Sequence, residues 1–142
     1  MTQEEILTAV AYLQAVWDED TEAVEVLSSR DASERGILEV VIDLADRFGQ
    51  IWMLIRLGIR EDMEDDEQRA AALKKVDDDP TMAVTAVLID AYRRWAKSAE
   101  GPAVRELSLN VIGYLAMSAK ATKDEIPTLF EMLRTAAIAN SG

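Results

Sequence analysis

Five carboxylates have the spacing in this chain that most invites chemistry. Glu22 and Glu25 lie three residues apart, and Glu39, Asp43 and Asp46 follow at helical intervals. Residues three or four apart share a face of a helix, so each set can aim its oxygens one way. Oxygen ligands arrayed like this suit magnesium. The bland account is a solvated face, and with twenty-seven acids in the chain it is the simpler one. Composition removes most other chemistry. The chain has no histidine, hence no imidazole base or ligand, and no cysteine, hence no thiolate site and no disulfide framework. Neither phosphate-cradling glycine pattern is present, and the run Asp62–Glu67 lacks the alternating ligands and glycine of a calcium loop.

Glu22-x-x-Glu25 followed by Glu39 and Asp43 resembles the all-α nucleoside triphosphate pyrophosphatases, which bind magnesium through E-x-x-E on one helix and E-x-x-D on the next. The resemblance spans a third of the chain and implies a magnesium-dependent nucleotide hydrolase as one alternative. Here the second pair is Glu39-x-x-x-Asp43, one residue longer than the family's pattern.

These acids would be positioned by helices. The longest apolar stretch, 37–59, repeats Ile37, Val41, Leu44, Phe48, Ile51, Ile55 and Ile59 every three or four residues. Glu39, Asp43, Asp46, Arg47 and Gln50 occupy the opposite face. Beyond Ile51 the polar strip fails, because Met53, Leu54 and Leu57 replace it, and a helix apolar all round needs cover all round. Upstream, Thr2 and Glu5 form a capping box for a helix over 2–17, with Ile6, Val10, Leu13 and Trp17 on one stripe. A short helix over 21–29 follows, and the two should fold back as a hairpin onto the central helix, which Ser33 can cap. Downstream, Asp77-Asp78-Asp79-Pro80 marks a boundary: three acids oppose the dipole of a helix ending there, whereas Asp79 and Pro80 suit the start of the next.

That next helix offers Val84, Val87, Leu88, Ala91, Tyr92 and Trp95 inward, with Asp90, Arg93, Arg94 and Lys97 outside. The second buried helix spans 104–120, where Leu107–Ala119 holds no charge and Gly113 would admit a close neighbour. Thr122 or, preferred, Asp124 caps a last helix with Pro127 in its first turn. Trp17, Trp52 and Trp95 read as core or near-core. Nothing alternates as a strand does. The fold class is all-α: one domain over 1–142, of six or seven helices packed around two buried central helices, with a mobile acidic connection near 60–80.

The net charge is −12. Residues 1–29 hold seven acids (Glu4, Glu5, Asp18, Glu19, Asp20, Glu22, Glu25) and no base, which disfavours direct binding to nucleic acid. The N-terminus lacks a basic leader and no apolar run reaches membrane-spanning length, so a cytoplasmic location without membrane contact is expected. The expected function is non-enzymatic and needs no cofactor: a helical interaction or assembly protein that associates with itself. Its candidate interface is Trp52, Met53, Leu54, Leu57 and Ile59. An acidic partner surface is expected over Glu61, Asp62, Glu64, Asp65, Asp66, Glu67, Asp77 and Asp78. The alternative to self-association is an acidic inhibitor that mimics nucleic acid and binds a basic, nucleic-acid-binding protein. Arg93-Arg94-x-x-Lys97 is too small a basic patch for nucleic acid, but could pair with the acidic part of another copy.

Overall fold

Four helices begin where a side chain takes up a free backbone amide. The computed structural model describes residues 1–29, 36–56, 58 and 65–139. These residues form α1 (Gln3–Trp17), α2 (Thr21–Ser28), α3 (Ile37–Arg56), α4 (Asp66–Asp78), α5 (Pro80–Ala96), α6 (Pro102–Ala119) and α7 (Ile126–Ala139), with a 3-10 turn over Lys123–Glu125 and no strand among them. Thr2 and Glu5 close the capping box of α1 through two bonds of 3.1 Å. Asp20, Asp65 and Asp79 accept from Ala23, Glu67 and Thr81 at the starts of α2, α4 and α5. Such caps are each worth about 1 kcal/mol and fix where the chain turns.

Asp79 also ends α4, which runs on through Asp77 and Asp78. The expected objection to acids at a helix C-terminus is real but small, roughly 0.3–1 kcal/mol each when exposed, and the cap at Asp79 offsets it. At the other end of the chain Thr122, not Asp124, makes the capping box, with Glu125 returning to the Thr122 amide. The amide and hydroxyl of Thr122 hold the Glu125 carboxyl below its usual pKa. Ser33 lies outside the described residues, as do Leu57 and 59–64, so the central helix is described to Arg56.

α3 and α6 are the central pair, as expected, and each packs against α1 and α5. α7 lies along α1. Val40, Val41, Leu44 and Phe48 of α3 meet Leu107, Val111 and Leu115 of α6, Val10 and Leu13 of α1, and Leu129, Phe130 and Leu133 of α7 in one core. α2 packs on α1 and buries no residue fully. α4 buries only Ala72 and leaves Leu73 exposed. Tyr12 and Ser108 bond at 3.0 Å inside the core. Because the Ser108 hydroxyl donates to the Val104 carbonyl, the Tyr12 hydroxyl is the donor. Burial is the main cause that raises the Tyr12 pKa above its ordinary value.

The close approach between helices is not at Gly113, which is exposed with open space around it. It is at Gly49 of α3, where an added Cβ would stand 2.6 Å from Cε1 of Tyr114 on α6 and 2.8 Å from its hydroxyl. The absence of a side chain at Gly49 therefore lets Tyr114 come close against α3. The two glycines predict opposite outcomes. Gly49→Ala should destabilise by roughly 1–3 kcal/mol through overpacking, while Gly113→Ala should stabilise by about 0.5–1 kcal/mol through helix propensity. Urea unfolding of the two variants checks this, and shifts of the same sign would contradict it.

Candidate interaction surface

α5 is the element whose packing departs furthest from its sequence pattern. It starts at the Asp79–Pro80 cap and buries Thr85, Ile89 and Tyr92, with Leu88, Trp95 and Ala96 half-buried. Val84, Val87 and Ala91, expected inside, face solvent: Val84 is 63 % and Val87 71 % exposed. The contact face is thus turned about a quarter turn from the apolar stripe.

Part of the reason is Arg93, which the pattern places outside. Its guanidinium reaches across to α3, donating to Asp43 at 2.6 Å and to Asp46 at 3.1 Å. Asp43 and Asp46 stand one turn apart, so one planar fork can engage both. The bond to Asp43 is the main reason the Arg93 pKa lies above its ordinary value. Next to this clamp, the rings of Tyr92 and Tyr114 meet edge to face at 6.3 Å. Both hydroxyls are raised in pKa, chiefly by burial. α5 is therefore locked to α3 by charge and to α6 by an aromatic edge, in a rotation that leaves Val84 and Val87 uncovered.

A second exposed apolar face ends α3. Val41, Leu44 and Phe48 are buried on its main stripe, but Ile51 is 41 % and Ile55 61 % exposed on the continuation of that stripe. The helix outruns its cover. This revises the expected interface. Met53 is buried, one turn beyond Gly49 on the flank that faces α6, and is core rather than contact surface. Trp52 is half-buried against Phe48, with ring centroids 6.0 Å apart, and Leu54 is half-buried. Leu57 and Ile59 lie outside the described residues.

Among the described residues the acids do not gather. Glu61, Asp62 and Glu64 fall outside the described residues; Asp65, Asp66 and Glu67 are exposed at the start of α4, and Asp77 and Asp78 at its end. Arg69, Lys74 and Lys75 stand between the two groups on the same helix. The α4 carboxylates thus form two clusters, not a continuous phosphate-like array. Glu22 and Glu25 are exposed on α2, while Asp43 and Asp46 hold Arg93. Among the described residues no three carboxylates converge as metal ligands would. Two open clefts border α2. One, of about 500 Å³, is walled by Tyr12, Val16, Val24 and Val104, and the Glu19–Arg105 pair at 3.1 Å belongs to its lining. The other, of about 670 Å³, is walled by Ile37, Leu38, Ile42, Ala96 and Val104, with Lys97 among its lining residues. Charged side chains share both linings with the aliphatic ones, Glu25 in the first and Glu39 and Arg93 in the second.

No protein-family model, curated protein or solved structure matches the chain. Among the described residues no helix is long and apolar enough to cross a membrane.

The clamp gives its own prediction. Arg93→Met leaves two half-buried carboxylates one turn apart without their cation, and should cost roughly 1–2 kcal/mol after allowance for solvent screening. Arg93→Lys keeps the charge but loses the fork and should fall between. Denaturant unfolding at neutral pH measures both, and an Arg93→Met variant as stable as the parent would refute the structural role given to Arg93.

Proposed function

We propose that the protein is a non-enzymatic helical interaction protein that assembles with itself, with the outer stripe of α5 as its docking face. A cytoplasmic location goes with this reading. The observation that supports it best is the pair Val84 and Val87, the two most exposed valines on a helix otherwise engaged in the core. A large aliphatic side chain gains roughly 1.5–3 kcal/mol when fully buried. Several left in water on one stripe are a liability unless a partner covers them. Ala91, also exposed, and the partly covered Leu88 and Trp95 extend the stripe, and Ile51 and Ile55 supply a second, smaller one.

The non-enzymatic part of the reading is supported by composition and by the engagement of Asp43 and Asp46 with Arg93, which takes two acids of the candidate magnesium set. Magnesium-dependent release of pyrophosphate from nucleoside triphosphates, lost in Glu39→Gln with Asp43→Asn, would overturn it.

Self-assembly is tested by sedimentation at micromolar and submillimolar concentration. A species of twice the 15.7 kDa chain mass is expected. Val84→Glu with Val87→Glu should be monomeric with unchanged helicity, since both positions face solvent within one chain. A parent that stays monomeric over this range would sink the reading.

A further inference from the structure

We infer that the cleft between α1, α2 and α6 binds a small organic cation, an ammonium group carried on an apolar body. The inference is independent of self-assembly through α5. The cleft holds about 500 Å³, inside the range of roughly 300–1,000 Å³ that small-molecule sites occupy. It lies where α2 packs on α1 and buries none of its own residues fully. Val24 of α2 is half-buried, and Val16 of α1 and Val104 of α6 line the same space. Tyr12 lines it as well, with its hydroxyl already engaged by Ser108. The apolar part of a ligand therefore has a place to leave water.

The charged groups in the lining set the sign of the ligand. They are Glu19, Glu25 and Arg105. Arg105 already holds Glu19 at 3.1 Å. Glu25 forms no ion pair among the described residues and is exposed on α2. The lining is thus left with one uncompensated negative charge. The chain around it has the same sign, since residues 1–29 carry seven acids and no base. An anion could turn only to Arg105, and would have to displace Glu19 to reach it. A cation meets Glu25 directly while Val16, Val24 and Val104 cover its body. Burial of the apolar body then supplies the affinity, and the carboxylate the choice of head group.

Decylammonium and decanoate share a chain and differ in the sign of the head group. Titration calorimetry of the full chain, below the concentration at which either probe aggregates, should show decylammonium filling one site per chain. Decanoate, and ethylammonium with its short tail, should bind at least about tenfold more weakly. Glu25→Lys should weaken decylammonium by at least about tenfold and remove its advantage over decanoate. Asp77→Lys makes the same change of net charge on α4, outside the lining, and should leave decylammonium within about twofold of the parent. Val24→Phe fills the cleft and should abolish binding, with circular dichroism verifying the fold of each variant. A parent that binds no decylammonium, or binds decanoate as tightly, would overturn the inference. So would equal losses in Glu25→Lys and Asp77→Lys, which would mean diffuse attraction to a chain of net charge −12. Undiminished binding by folded Val24→Phe would place the probe elsewhere and overturn it too.

Discussion

The contact of Arg93 with Asp43 and Asp46 governs how the rest of α5 is presented. A helix packed on a two-helix platform has one rotational freedom about its own axis, and its apolar stripe ordinarily settles it. On α5 the stripe and the contact face disagree by about a quarter turn. Turning Val84 and Val87 into the core would swing Arg93 out of reach of α3 and strand two carboxylates that stand one turn apart. It would also withdraw Ile89, which is buried in the observed rotation. A half-exposed ion pair contributes only modestly, so the charge clamp acts together with Ile89 and with the Tyr92–Tyr114 edge contact. Their combined result is a helix fastened on one side and apolar on the other.

That rotation depends in turn on the spacing of α3 and α6. With no side chain at Gly49, Tyr114 comes against α3, and its ring is then placed to meet that of Tyr92 edge to face. A bulkier residue would push α6 outward and move the surface on which α5 rests. The same helix, α3, carries Gly49, the carboxylates of the clamp and, past the reach of its neighbours, Ile51 and Ile55. One helix therefore sets the core and the placement of α5, and exposes apolar surface of its own.

Features encoded within a few residues were legible in the sequence. The Thr2–Glu5 box, the Asp79–Pro80 start and the two central helices need only local spacing and periodicity to be seen. What could not be read depends on how helices turn against one another. Asp43 and Asp46 read as a solvated face because their cation lies about fifty positions away. Gly113 stands out in the sequence because it interrupts an uncharged helix, whereas Gly49, between Phe48 and Gln50, is the one that faces a ring. Met53 and the pair Ile51 and Ile55 exchanged roles because the stripe continues past the helices that cover it. On α5, the pattern correctly found an apolar stripe, much of which the structure turns to solvent. The signal that could have revealed this is Ile89, an aliphatic residue on the side taken to be polar.

The account as a whole stands on the outer stripe of α5 being buried against the same stripe of a second copy. The chain contains no cysteine, so a single thiol introduced as Val87→Cys reports on its own surroundings. In a symmetric contact centred on this stripe it would meet its own counterpart, within the narrow geometry that a disulfide requires. Mild oxidation of dilute protein should then yield a covalent dimer rapidly and almost completely, while Met117→Cys, also exposed, on α6, should remain largely uncrosslinked. Equal, slow crosslinking at the two positions would mean that Val87 meets a second copy only by random collision, and would contradict the account.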